Sequence, residues 1–254
     1  MRCRAVSRRD VLKYAAAAPV VFGLSTTLAP GAAASAIAGM TVFLDPGHNG
    51  ANDASINRQV TNGRGGTKEC QTTGTSTAGG FGEHTFNWDV VLAIRAALTQ
   101  YGVRTAMSRG NDSALGPCVD QRAAMANAIH PDAVVSIHAD GGPPDGRGFH
   151  VNYSSPPLNA AQAGPAVRFA QIMRDQLVAA GMQPSTYRGT DGLYGRADLA
   201  GLNLAQYPSI LIEMGNMKNA ADAAVLESAG GRAQLAAAVV SGVTSYLQQA
   251  RVAG

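Results

Sequence analysis

Four side chains able to bind a metal or move a proton stand at the edges of apolar runs, although they lie far apart along the chain. His48 follows the run over 41–44 through Asp45-Pro46-Gly47, His138 directly follows the run over 133–137, and Glu213 directly follows that over 209–212. Glu83 opens a stretch whose apolar positions recur at helical spacing, and Gly82 before it would let the backbone turn sharply into that helix. Two imidazoles and one carboxylate form a ligand set suited to a single catalytic zinc ion, which leaves its fourth position to water. A second carboxylate beside such an ion can take the proton of an attacking water and pass it to a departing nitrogen. The expected division is therefore His48, Glu83 and His138 as metal ligands, with Glu213 as the catalytic acid–base.

Taken singly, these residues carry less. A histidine after a strand is commonly a hydrogen-bonded loop residue, and a glutamate at a helix start can simply complement the helix dipole. The remaining histidines, His84 at a helix start, His130 beside Pro131 and His150 within a strand, are read as structural.

The elements that must position the four alternate short apolar runs with helical patterns. Strands are expected over 41–44, 104–107, 133–137, 148–153 and 209–212, and helices over 84–100, 119–129, 166–180, 221–226 and 232–249. This is the grammar of a single-domain α/β fold, a mostly parallel, twisted mixed sheet covered by helices on both faces. Ligands of open α/β sheets gather beyond the carboxyl ends of the strands, so the three run-end residues would share one rim. The segment 47–82, rich in Gly, Thr, Asn and Ser, is too polar to read as core and is expected to be a mobile insertion.

Residues 1–36 read as a targeting segment ahead of a catalytic domain over 37–254. Ser7-Arg8-Arg9-Asp10-Val11-Leu12-Lys13 places paired arginines before an apolar stretch over 14–29, in the manner of a twin-arginine export signal. Ala34-Ser35-Ala36 offers a cleavage site that would start the mature chain near Ile37, and Ala32-Ala33-Ala34 offers a second. An uncleaved stretch acting as a membrane anchor is the alternative. The formal charge of +3 belongs largely to this segment, because the rest holds 15 basic and 16 acidic residues. A net −1 lacks the cationic footprint of a nucleic-acid binder. Cys3 falls in the signal and leaves an even pair, Cys70 and Cys118, in a chain expected to be exported, hence an expected disulfide. Two buried free thiols are the alternative. With 47 residues between its ends, such a bridge would contribute about 4 kcal/mol through loop entropy.

Five local wordings stand in order along the chain: Asp45-Pro46-Gly47-His48, Glu83 with Asn87, Ser108-Arg109-Gly110-Asn111-Asp112, Arg122 to Ala126-Asn127 before Ser136-Ile137-His138-Ala139, and Glu213-Met214-Gly215. By these motifs the chain, from about Thr41 to the C-terminus, resembles the zinc-dependent N-acetylmuramoyl-L-alanine amidases of the type-3 group. The family often has a second glycine after the first motif histidine, where Asn49 stands here, and the stretch over 50–80 is longer than usual, which suggests a flap tethered by Cys70. The resemblance implies zinc held by His48, Glu83 and His138, and catalysis by Glu213. The expected reaction is hydrolysis of the amide between N-acetylmuramic acid and L-alanine. The expected partners are peptidoglycan or muramyl-peptide fragments, acted on by a monomer in the periplasm or cell wall, with no nucleic acid and no stable membrane insertion after signal cleavage. Two rivals share these residues: a zinc peptidase acting within the stem peptide, and a non-catalytic wall-binding or regulatory homologue that keeps only the fold.

Overall fold

The computed structural model describes residues 36–253, so the expected export signal lies outside the described residues. A six-stranded sheet forms the centre, built from β1 (Thr41–Pro46), β4 (Arg104–Met107), β5 (Ala133–Asp140), β6 (His150–Ser154), β7 (Leu193–Arg196) and β8 (Ser209–Asn216). Its spatial order is β4-β1-β5-β8-β6-β7. The first four run parallel, and β6 reverses direction against β8 while β7 runs parallel to β6. Two short strands, β2 (Gln59–Thr61) and β3 (Thr67–Glu69), form a separate antiparallel hairpin. Helices α1 (Glu83–Gln100), α2 (Val119–Ala128), α3 (Ala160–Ala163), α4 (Pro165–Ala179), α5 (Ala200–Asn203), α6 (Ala220–Glu227) and α7 (Ala229–Ala253) complete the domain. The expected single-domain α/β architecture is what forms.

Successive side chains of a strand point to opposite faces, and here the two faces differ in chemistry. Val42, Leu44, Val135, Ile137, Ile210 and Ile212 are buried in one large apolar core. Phe86, Val90, Ile94 and Leu98 of α1 join the same core, as do Phe169 and Met173 of α4 and Val239, Val243 and Tyr246 of α7. These helix positions recur at three- and four-residue intervals, which is why a stripe of each helix can be dry. Phe169 and Tyr246 stack with ring centroids 4.4 Å apart. The alternate residues, Asp45, Ser136, His138 and Glu213, face the other way with Phe43, Val134 and Leu211. That face is covered thinly, by α2, α5 and the β2–β3 hairpin, and beneath them lies a cavity of about 420 Å³.

Two sequence expectations change. The strands carrying His138 and Glu213 continue past those residues, to Asp140 and Asn216, so both sit inside a strand. The apolar run stops at the first polar residue, whereas the backbone ladder does not, because one face of these strands is polar. The segment over 47–82, read as too polar for core, buries Ile56, Val60, Cys70, Gln71 and Thr77. It is tied down by the hairpin, by a turn of 3₁₀ helix at Ala54–Asn57 and by a disulfide from Cys70 to Cys118. The disulfide is as expected from the sequence. β7, α3 and α5 have no counterpart among the expected elements, because at four residues each they are too short to display a period.

Candidate metal centre

Each of the four functional candidates is delivered by a different device. His138 is fixed by the middle of the sheet, with β1 and β8 paired on either side of β5. Glu213 occupies the next strand in the same rung, directly paired with His138. Glu83 is the first residue of α1, where the helix N-terminus favours a negative charge. Gly82 does not serve as the sharp turn expected of it, since its φ of −73° and ψ of 141° are open to any residue. A Cβ there would lie 3.0 Å from the His84 ring, so the position is merely crowded. His48 sits just beyond β1 with φ of +60°, a left-handed conformation that costs a non-glycine residue about 1–2 kcal/mol.

These devices bring His48, Glu83 and His138 together, with one donor atom of each within 4.8 Å of the others. His48 Nε2 lies 3.1 Å from Glu83 Oε2, and His138 Nδ1 lies 2.9 Å from Glu83 Oε1. The two rings stand nearly perpendicular with centroids 4.8 Å apart. Backbone groups finish the arrangement: Thr75 N donates to Glu83 Oε2 (3.0 Å), and Ala139 N donates to Glu83 Oε1 (3.2 Å). His48 Nδ1 is 2.8 Å from the carbonyl oxygen of Thr72, which orients the ring so that Nε2 faces the cluster. Glycines permit the approach. A Cβ on Gly47 would come within 2.3 Å of the His138 ring, and one on Gly74 within 2.9 Å of both Glu83 and His48.

Electrostatics separate the two glutamates. Burial by itself would raise the Glu83 carboxyl, but the adjacent His48 and His138 hold it well below the usual carboxylate range. His48 rises in turn, because Glu83 outweighs the burial that would lower it. Glu213 moves the opposite way. Burial, then the charges of Glu83 and Asp140, push it well above the usual value, with Arg196 opposing. Glu213 lines the cavity, and its Oε2 is shut off from solvent with no hydrogen-bond partner, so its bonding capacity is unused. One carboxylate is thus committed to cations and the other is disposed to hold a proton.

Beneath the cluster lies a charged support that the sequence motifs contain but did not explain. Asp45 accepts from Ser108 Oγ (2.5 Å), Ser136 Oγ (2.9 Å) and Arg122 Nη1 (2.8 Å). Burial opposes ionisation, yet Arg122 and Ser108 bring Asp45 down to about 2. Asn49, the departure from the double glycine, is fully buried and accepts from Arg122 Nη2 (2.8 Å).

The histidines read as structural have separate surroundings. His84 pairs with Asp112 at 2.9 Å, and His130 contacts the Tyr207 hydroxyl. His150 is buried in β6, directly across from Glu213, and burial lowers its pKa to about 4. Its ring lies edge-on to Tyr187, whose hydroxyl donates to Asp140 Oδ2 at 3.1 Å. Of these three, Asp140 lines the cavity beside Glu213, and the signal for Asp140 and His150 was the period-two alternation of β5 and β6.

A mixed α/β sheet carrying a two-histidine, one-carboxylate cluster towards the carboxyl end of its parallel strands, with a second carboxylate one strand over, is an arrangement suited to a single-metal hydrolase. The chain belongs to the N-acetylmuramoyl-L-alanine amidase family, whose model matches residues 42–245. It is 70% identical over 200 residues to the N-acetylmuramoyl-L-alanine amidase Rv3717 of Mycobacterium tuberculosis, covering 79% of this chain and 83% of that protein. The crystal structure of the amidase Ami1 from Mycobacterium smegmatis superimposes with a TM-score of 0.83 at 67% identity, covering 84% of this chain and 99% of that one. The amidase AmiC2 of Nostoc punctiforme, at 24% identity, shares the fold with a TM-score of 0.63 over 82% of this chain and 97% of its own.

Proposed function

We propose that this protein is an exported zinc-dependent amidase that hydrolyses the bond between N-acetylmuramic acid and the L-alanine of the peptidoglycan stem peptide. The observation that carries the reading is the meeting of His48, Glu83 and His138 on one side of the cavity, with the unpartnered Glu213 Oε2 on the neighbouring strand. The residues fit zinc: two ring nitrogens and a carboxylate converge in a largely dry setting, with Gly47 and Gly74 leaving room around them. When bound, zinc supplies Lewis acidity that polarises an amide carbonyl and acidifies water.

The chain's own groups do the rest. Glu213, as carboxylate, takes a proton from the water whose oxygen bonds to the lactyl carbonyl carbon. The carbon–nitrogen bond then breaks, and Glu213 returns that proton to the departing alanine nitrogen. A carboxyl of raised pKa suits both halves of the transfer. The products are the muramic acid carboxylate and a peptide with a free amine.

Replacing Glu213 by Gln is expected to leave zinc content intact and lower hydrolysis by roughly 10²–10⁴-fold. Loss of zinc in that variant would make Glu213 a ligand and overturn the division of roles. Mass spectrometry of digested muropeptides checks the bond: a new amine on L-alanine supports the amidase, and a new amine further along supports a stem-peptide peptidase. Export follows from Arg8-Arg9 ahead of an apolar stretch and from a wall substrate that lies outside the cytoplasmic membrane. Among the described residues no helix is long and apolar enough to cross a membrane. Changing both arginines to Lys is expected to block export, and unchanged export would count against a twin-arginine route.

A further inference from the structure

His48 is the one ligand of the cluster that no helix or sheet ladder holds. It occupies a strained left-handed conformation, which persists only where the surroundings over-determine it. Two arms supply that constraint. The first is Cys70-Gln71-Thr72, whose Thr72 carbonyl accepts from the ring at Nδ1 (2.8 Å). The second is the start of α2. There Cys118 is the N-cap and Arg122 lies one turn on, its backbone N donating to the Cys118 carbonyl at 2.9 Å.

The Arg122 side chain reaches from this turn to the His48 loop. Nη2 donates to the His48 carbonyl (2.7 Å), Nη1 to the Pro46 carbonyl (2.9 Å), and Nε back to the Pro117 carbonyl (3.0 Å). One arm therefore grips the ring of His48 and the other its backbone. The arms meet at the Cys70–Cys118 disulfide, reinforced by Val119 N donating to the Cys70 carbonyl at 2.9 Å.

We propose that the Cys70–Cys118 bridge and Arg122 are positioning elements for the metal ligand His48, so that breaking the bridge weakens metal binding beyond any effect on the fold. The inference rests on the zinc reading of the site. A disulfide acting only as a staple stabilises by restricting the unfolded chain, and leaves the affinity of the folded site alone. One that fixes a ligand through its outer hydrogen bonds alters affinity, and loss of such support typically weakens metal binding 10–100-fold.

The test is chelator competition for zinc on the purified mature protein, alongside thermal unfolding of its metal-free form. The variants are Cys70→Ala/Cys118→Ala and, separately, Arg122→Lys. Cobalt(II) substitution adds a visible spectrum that reports ligand geometry. Both variants are expected to bind zinc roughly 10–100-fold more weakly and to show an altered cobalt spectrum, with Arg122→Lys still folded. Zinc affinity within about twofold of wild type and an unchanged cobalt spectrum in a folded variant would overturn the proposal, leaving a staple. If the cysteine variant does not fold, Arg122→Lys decides the matter by the same two readouts. A wild-type protein that binds no zinc would instead defeat the reading of the site itself, so the two failures are distinct.

Discussion

The two faces of the central sheet are stabilised by different physics. One is a continuous apolar core under α1, α4 and α7, where specificity comes from shape; Gly242 of α7 is so close to α4 that an added Cβ would sit 2.5 Å from Met173 Sδ. The other face has a small apolar cluster of Phe43, Ala126 and Val134, and depends for the rest on a buried ion pair, hydroxyl contacts and a disulfide. Under α1, α4 and α7 the interior is close-packed, whereas on the other face Phe43, Ala126 and Val134 themselves line the cavity. The polar face keeps a cavity open with groups that need not touch across it. The candidate metal centre lies where the packing is thin and the polar constraints are many.

This contrast can be broken from either side. Asp45→Asn on the polar face is expected to cost about 3–5 kcal/mol at neutral pH, because Arg122 is left buried without its partner. The same change should flatten the acid limb of stability. The folded value of Asp45, about 2, lies below its ordinary 3.8. Its contribution of about 2 kcal/mol is therefore complete above pH 4 and lost as pH falls from 4 towards 2. Chemical denaturation from pH 6 to 2 reads both effects, and an unchanged acid slope in the variant would remove Asp45 from that role.

On the apolar face, Phe169→Ala is expected to cost a comparable 3–5 kcal/mol, yet to leave zinc affinity and specific activity of the folded protein within about twofold. A large fall in affinity there would mean that the two faces are not independent. A smaller effect belongs to His150. Burial lowers it from 6.5 to about 4, so below pH 6.5 the unfolded chain takes up a proton that the folded one refuses. Stability should then decline by up to about 3 kcal/mol as pH falls from 6.5 to 4. In His150→Phe that part of the decline should vanish, and its persistence would assign the slope elsewhere. The smallest effect is expected at the Arg174–Asp175 pair, where Asp175 is largely exposed: Asp175→Ala should change stability by less than about 1 kcal/mol.

Much of this organisation was legible in the chain. The apolar runs of β1, β5 and β8 place Val, Leu and Ile on the side packed under α1, α4 and α7, and Phe86, Val90, Ile94 and Leu98 announce α1 by spacing alone. The chemistry-bearing residues were legible because they interrupt those patterns: a histidine or glutamate directly after an apolar run has to be explained. What stayed hidden is whatever depends on long-range partners. Asp45 and Arg122 are 77 positions apart, and nothing in the spacing says that they pair. Likewise β2 and β3 are three residues each, too short to display a period, and lie in a stretch tied by the disulfide from Cys70. Cys70 and Cys118 could be paired by elimination, but their placement beside His48 could not.

The shared rung of His138 and Glu213 has one more consequence. Neighbouring strands sit about 4.8 Å apart because amide hydrogen bonds have a fixed length, so the ladder serves as a ruler between His138 and Glu213, the proposed ligand and the proposed proton carrier. Side-chain motion can rotate either group, but the distance between their anchor points is set by the peptide backbone. A slip of one residue in β8 would turn Glu213 into the oily side of the sheet and bring Ile212 or Met214 into its place beside His138.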